Sequence, residues 1–172
     1  MARKLIFLTC LLSLPAGSFA QSLQELDQRE AALMETWEKM PLSVRRAMFE
    51  KQRAEGFGMY QERPSNVFKP GEKLIAYVEP VGYGWKEAGP GSFEFGFNVD
   101  FLIKSPDGKV LTGQENFANL ALKSRARARE FMLNLTMNVS GAPPGDYVLE
   151  YKLRDITGDK SAVVDLPFKI AK

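Results

Sequence analysis

The stretch FEFGFNVDFLI, residues 93–103, decides the fold of this chain. Apolar residues occupy every second position from Phe93 to Ile103, and the positions between them begin with glutamate, glycine, asparagine and aspartate. Because successive side chains of a strand point to opposite faces, this spacing predicts a strand with one buried and one solvated face. Residues 131–139 and 162–170 alternate in the same way. Stripes this regular are typical of a sheet core rather than of a ligand-binding row.

Shorter alternating segments fill most of the remaining C-terminal chain. They predict further strands at residues 58–62, 73–79, 110–112, 117–122 and 147–154. Turn-forming sequences, such as SPDG at residues 105–108, separate them. Seven or eight short strands with frequent turns predict a mainly β domain over residues 57–172, built as a sandwich of two antiparallel sheets.

Two corner sequences bear on the kind of sandwich. They are Pro70-Gly71-Glu72 and Pro144-Gly145-Asp146-Tyr147. Both resemble corners of immunoglobulin-like and fibronectin-type domains, and the second resembles the start of their penultimate strand, where a tyrosine bonds back to the chain. The longer runs 68–72, 77–85, 145–151 and 160–162 resemble uncharacterised exported, periplasmic proteins of alphaproteobacteria. That resemblance implies export and an immunoglobulin-like antiparallel β-sandwich, and it implies no activity.

Residues 21–56 have a helical period instead. Ser22 followed by Glu25 forms a capping box, and an apolar stripe recurs at helical spacing until Pro41. A second helix is predicted from Ser43 to Glu55. The first helix carries net negative charge and the second net positive charge, which favours an N-terminal helical hairpin in front of the sandwich. A basic amphipathic helix on a membrane surface is the alternative for the second segment.

The first 20 residues predict a cleavable signal peptide. Two basic residues precede an apolar stretch, and small residues at Ser18 and Ala20 suit cleavage just after Ala20. We therefore expect a periplasmic or secreted protein. The apolar stretch has about half of the roughly 20 residues that cross a bilayer, so we expect no membrane span in the mature chain. Cys10, the only cysteine, lies inside this segment.

Composition restricts the possible chemistry. The chain has no histidine, which excludes Ser–His and Cys–His nucleophile activation and histidine-ligated metals. Beyond residue 20, 21 basic residues balance 21 acidic residues, and this balance gives no support for a nucleic-acid partner. We expect no enzymatic activity, no cofactor and no metal.

The loop at residues 79–91 is the first candidate ligand site. It holds four glycines, two prolines, Tyr83 and Trp85, with Glu79 and Glu87 flanking the aromatic pair. Aromatic rings on a loop held by a rigid scaffold can grip a sugar, a peptide or a protein. The interpretation that we favour is plainer: both rings fold back and plug the end of the sandwich.

The second candidate is a basic run at two-residue spacing, formed by Lys123, Arg125, Arg127 and Arg129. It could bind an anion or an acidic partner. A continuous strand with residues 131–139 would bury three of these guanidinium groups, at prohibitive cost. We therefore expect the strand to leave the core near Glu130, or a bulge to reset it, which puts the arginines on a rim. Positive charge there also discourages sheet-to-sheet aggregation, and this is the simpler explanation.

These features favour an exported, non-enzymatic binding or protein-interaction module, whose partner is a protein or glycan of the cell envelope. One alternative is an enzyme that acts on envelope polymers through carboxylates such as Glu79 and Glu87. The other is a structural protein in which residues 22–55 pair across a dimer.

Overall fold

A computed structural model describes residues 22–172, so the predicted signal peptide lies outside the described residues. Within that range the chain forms the helix α1 (Leu23–Lys39) and the strands β1 (Ser43–Phe49), β2 (Val67–Phe68), β3 (Lys73–Val81), β4 (Lys86–Glu87), β5 (Phe93–Lys104), β6 (Val110–Ser124), β7 (Leu133–Asn138), β8 (Gly145–Asp155) and β9 (Ser161–Ile170). No helix in this part of the chain is long and apolar enough to cross a membrane.

The strands form two sheets. The small sheet has the order β1-β3-β7, and the large sheet runs β2-β9-β8-β5, with β4 and β6 also paired to β5. Every pairing is antiparallel except the short one between β2 and β9. The prediction of a mainly β protein with antiparallel sheets is therefore confirmed.

One apolar core lies between the two sheets. The three strands with the clearest alternation, β5, β7 and β9, each present alternate side chains to it; Phe97, Leu133 and Phe168 are examples. Two segments predicted as separate strands, at 110–112 and 117–122, are parts of the single strand β6. A register shift opposite Asp100, with Asn116 at a φ of 52°, interrupts the alternation and hid this continuity from the sequence.

The predicted second helix is wrong. Residues 43–49 form β1, which pairs antiparallel with β3 and places Phe49 opposite Ala76. Phe49 is buried against the rings of Phe68 and Phe168, so the small sheet and its core include a segment that lies before residue 57. A register shift between Val44 and Arg46 disturbs the two-residue period, and the remaining apolar spacing imitates a helix. Pairing with β3 outweighs that weak local pattern.

Tyr147 closes the corner at the start of β8. The Tyr147 hydroxyl donates a hydrogen bond of 2.7 Å to the carbonyl oxygen of Pro143, four residues upstream. The Tyr147 ring lies against Phe168 of the neighbouring strand. This bond closes the loop between β7 and β8 onto the sandwich.

Residues 51–63 cover the outer face of the small sheet. The predicted strand at 58–62 is absent there, and only Glu62 makes a single bridge, to Glu50. Tyr77 donates to Glu79 (2.7 Å) and accepts from the Gly58 amide (2.8 Å). Burial, with the neighbouring Glu79 adding to it, raises the pKa of Tyr77 to about 12, so its hydroxyl stays protonated and can donate.

Glu50 is the unusual residue of this face. Only 2% of it is exposed, and neither carboxylate oxygen has a hydrogen-bond partner among the described residues. Burial raises the pKa of this carboxyl, because the charged form is poorly solvated there, and the nearby Ala54 amide and Arg53 charge offset only part of this effect. The ionised form therefore opposes folding near neutral pH.

We predict that Glu50→Gln raises the unfolding free energy at pH 7 by about 1 kcal/mol. The folded-state pKa lies above the unfolded value, so the Glu50 side chain contributes less stability as pH rises above about 4.5, and the amide in its place does not titrate. Denaturant unfolding at pH 4 and pH 7 measures the difference, which should vanish at pH 4. The exposed Glu55→Gln is the control, and an equal gain at both pH values would contradict the explanation.

Candidate functional site

Tyr83 closes one end of the core and organises the site around it. It is fully buried among the rings of Trp37, Trp85, Phe95, Phe97 and Phe131. Its backbone oxygen accepts a 2.7 Å hydrogen bond from Trp37 Nε1, and its hydroxyl donates to the Ala128 oxygen at 2.9 Å. Burial raises the pKa of Tyr83, which keeps the hydroxyl protonated as a donor. Tyr83 is therefore a plug and presents no surface to a ligand.

Trp85 is half-buried beside this plug. Its Nε1 donates to the same Ala128 oxygen at 3.0 Å, and its ring lies 5.8 Å from the Trp37 ring, centroid to centroid. The loop aromatics and the basic run, which the sequence suggested as two separate sites, therefore meet at Ala128. Helix α1 covers the place where they meet.

Two glycines let the surrounding segments approach the loop. A Cβ on Gly82, whose φ is 82°, would lie 2.5 Å from the Pro41 carbonyl oxygen, and one on Gly84 would overlap Thr157 Oγ1. The Gly84 amide also donates to Asp155 Oδ2 at 2.7 Å. Only glycine permits these contacts, which seat the end of α1 and the β8–β9 turn against the loop.

Lys160 holds the C-terminal end of α1. Its ammonium donates to the carbonyl oxygens of Glu38 (2.9 Å), Met40 (2.8 Å) and Gly82 (2.7 Å). The last carbonyls of a helix have no intrahelical partner, and a cation there is also favoured by the helix dipole. One side chain of the β8–β9 turn therefore binds both the helix end and the aromatic loop.

The basic run begins at Lys123 in β6, and its three arginines follow that strand and lie outside the core, as expected. Residues 125–132 form no strand, and β7 begins only at Leu133. Arg127 Nη1 lies 2.8 Å from Glu38 Oε1, and Arg129 Nη2 lies 3.9 Å from Glu30 Oε1. The negative charge of α1 is thus met by these arginines and not by a second helix, which corrects the predicted hairpin.

A groove of about 580 Å³ lies between α1 and the arginine segment. We call it the α1 groove. Its apolar lining comes from Leu33, Trp37, Met40, Phe57 and Val81. Its polar lining comes from Thr36, Arg45, Arg127, Arg129 and Glu130.

Six of the eight residues suggested by the sequence do not line the α1 groove, and only Arg127 and Arg129 do. Tyr83 and Trp85 pack against Trp37, which does line it. Glu79 is buried on the outer face of the small sheet, whereas Glu87 is exposed in β4 of the large sheet. They belong to separate surfaces and do not form a pair across one cleft. Lys123, paired opposite Glu94, and Arg125 border a shallow surface depression beside the turn before β5.

Sequence reasoning missed several residues of this region. Trp37 belongs to the apolar stripe of the first predicted helix, but nothing in the sequence indicated that it would meet Tyr83 across 46 positions. Arg45 and Phe57 were assigned to a helix and to the start of the sandwich, so they could not be placed beside α1. Lys160 gave no signal, because a lysine in a turn is ordinarily exposed.

Comparisons with known proteins identify no family for this chain. No protein-family model matches it, and no curated protein matches it. Among solved structures, it is similar to the alkylpurine DNA glycosylase AlkC of Pseudomonas fluorescens, bound to DNA containing an abasic site analogue. The TM-score is 0.39 at 11% identity, and the match covers 87% of this chain and 36% of the glycosylase.

This comparison corrects two expectations from the sequence. The neighbour is a DNA-bound enzyme, so the expectations of a non-enzymatic module with a cell-envelope partner and of no nucleic-acid partner are not carried further. The likeness is too low to argue that this chain binds DNA or cleaves a glycosidic bond. The α1 groove must therefore be interpreted from its own residues.

We predict that Lys160→Met lowers the unfolding free energy by about 2–3 kcal/mol, because three carbonyl groups lose a charged donor. Far-UV circular dichroism should also lose part of its helical signal, since α1 loses its C-terminal support. The matched control is Lys152→Met, an exposed lysine of β8. If both variants unfold at the same denaturant concentration, Lys160 does not hold the helix.

Proposed function

We propose that the α1 groove binds an amphiphilic anion, a molecule with an apolar chain and a carboxylate or phosphate head. The supporting observation is the placement of three arginines at the edge of an apolar groove of about 580 Å³. Ligand sites of this kind are typically 300–1,000 Å³, mainly apolar, with a few convergent polar groups.

The lining residues favour an apolar ligand body. Leu33 is 44% exposed although it lies on the apolar side of α1, and Phe57 is only half-buried beside it. Covering this surface with an alkyl chain would stabilise the complex by about 25 cal/mol for each Å² of apolar area removed from water. An alkyl chain along the groove would cover both side chains.

The head group is selected by the arginines. Arg45 is exposed and forms no ion pair with any carboxylate in residues 22–172. A guanidinium group matches the two oxygens of a carboxylate or phosphate, which makes such bonds specific as well as strong. Arg45 is therefore the first contact that we assign to the ligand head.

Arg127 and Arg129 supply two further donors. Their present partners, Glu38 and Glu30, are more than half exposed, so those ion pairs contribute little free energy. A ligand head can replace either glutamate at small cost. The same two arginines then contact helix α1 in the free protein and hold the anion in the complex.

Tryptophan fluorescence provides a direct test. Trp37 and Trp85 are the only tryptophans of the chain; Trp37 lines the groove, and the Trp85 ring lies 5.8 Å from the Trp37 ring. We expect monomeric dodecanoate and dodecyl phosphate to shift the emission saturably. A neutral dodecyl glycoside and inorganic phosphate, which each lack one half of the proposed chemistry, should bind at least roughly tenfold more weakly, a difference of about 1.4 kcal/mol.

Two arginine variants complete the test. Arg45→Ala should weaken the binding of dodecyl phosphate by roughly tenfold, because one charge-assisted hydrogen bond is lost. Arg125→Ala, an exposed arginine outside the groove, is the matched control and should leave the affinity unchanged. If neither anionic amphiphile shifts the emission, or if both variants bind like wild type, the proposed function is wrong.

We further propose an immunoglobulin-like sandwich and export after cleavage following Ala20. The strand order, the parallel pairing of β2 with β9 and the bond between Tyr147 and Pro143 support this fold class. The order of basic, apolar and small residues at positions 1–20 supports export. Mass spectrometry of the protein expressed with its full N-terminus should show a chain that begins at Gln21, and an intact N-terminus in a periplasmic fraction would contradict this.

A further inference from the structure

The two sheets are unequal, and one side of the core is open. The small sheet ends at β7, which pairs only with β3, while the large sheet continues to β6, which pairs only with β5. The backbone edge of β7 (Leu133–Asn138) is therefore unpaired within the described residues. This open side lies apart from the α1 groove, so the inference below does not rest on the proposed function.

The inner face of β6 lacks a cover. Leu120 and Leu122 stand opposite Phe97 and Phe95, whose side chains enter the core, so all four side chains share one face of the large sheet. Phe95 is buried, but Leu122 is 50% exposed, because the small sheet stops short of it. Adjacent strands lie about 4.8 Å apart, and one more strand beside β7 would cover this face.

Two cavities mark the position of that strand. One, of about 220 Å³, lies between Leu122 and Phe131 near the start of β7. The other, of about 580 Å³, lies between Leu111 and Met137 near its end. Both have mainly apolar linings. Together they follow the free edge of β7.

We propose that this open side binds an extended peptide segment, which adds to the small sheet as a fourth strand beside β7. Backbone hydrogen bonds to the β7 edge would hold the segment, and apolar residues at every second position would enter the two cavities. The edge of β6 is a poorer pairing surface, because its bulge near Asn116 interrupts the ladder. A second copy joined through β6 would also leave the β7 edge and both cavities empty.

Charge indicates the chemistry of the segment. Arg53 lies at the cavity near the start of β7, is exposed, and bonds only to Thr136 Oγ1 at 3.3 Å among the residues described. It forms no ion pair with a described carboxylate. A segment antiparallel to β7 would place its C-terminal end there. The structure therefore assigns to this site an extended peptide with alternating apolar residues followed by acidic ones.

A synthetic peptide tests the assignment. The probe is acetyl-Thr-Val-Ser-Val-Thr-Val-Ser-Asp-Asp, labelled with a fluorophore for anisotropy. One control peptide places its three valines consecutively, and another replaces both aspartates by lysine; we expect each to bind at least roughly tenfold more weakly. Hydrogen exchange should show new protection of the amides of residues 133–138 when the probe is bound.

Variants of β6 locate the site. Leu111→Lys with Leu122→Lys places charges under the proposed strand and should reduce affinity for the probe at least tenfold. Both positions are about half exposed, at 49% and 50%, so the variant should fold, as circular dichroism can verify. Val163→Lys, at a position 54% exposed on β9, is the matched control and should bind like wild type. The assignment is overturned if the probe does not bind. It is also overturned if binding protects amides elsewhere in the chain but not those of residues 133–138.

Discussion

The burial of Tyr83 is the interaction on which the rest of this structure depends. The residue follows the turn that leaves β3, its ring packs on Phe95 and Phe97 of β5, and its two oxygens bond to Trp37 and to the segment after β6. One side chain therefore connects the small sheet, the large sheet, the helix and the arginine segment. Burial of the aromatic ring stabilises these contacts. Because the hydroxyl and the backbone oxygen are both hydrogen-bonded, neither oxygen is left unpaired in the core.

The sequence could predict the parts of the fold that follow from local periodicity. The alternation at residues 93–103 and 162–170 gave strands that the structure confirms, because a half-buried strand repeats its pattern regardless of its partners. Prediction from the two-residue period failed where a strand changes register. Shifts of register near Arg46 and Asn116 led to a helix in place of β1 and to two strands in place of one. Such irregularities depend on the neighbouring strand and leave little trace in the sequence itself.

The candidate site shows a similar division. Desolvation cost placed the arginines outside the core, since three buried guanidinium groups have no compensating partners in a strand. The identity of their partners required the fold, because Glu38 and Arg127 are 89 positions apart in sequence. Lys160 is the extreme case: its role comes entirely from the meeting of a turn, a helix end and a loop. The sequence could thus predict that the arginines lie outside the core, but it could not predict what they or Lys160 contact.

The attachment of α1 also determines how its groove behaves. Trp37 and Glu38 lie in the last turn of the helix, Lys160 binds the carbonyl oxygens of Glu38 and of the C-cap Met40, and the Arg127 pair adds to the same end. Toward the N-terminus the helix retains the Ser22 cap, the pair of Glu25 with Arg29 and the long contact between Arg129 and Glu30, each of which contributes little free energy. A 17-residue helix is only marginally stable without packing, so the stability of the groove wall falls with distance from Trp37. Helix α1 is therefore held firmly at the aromatic cluster and weakly near Glu30. A ligand in the α1 groove would most easily displace the helix near Glu30.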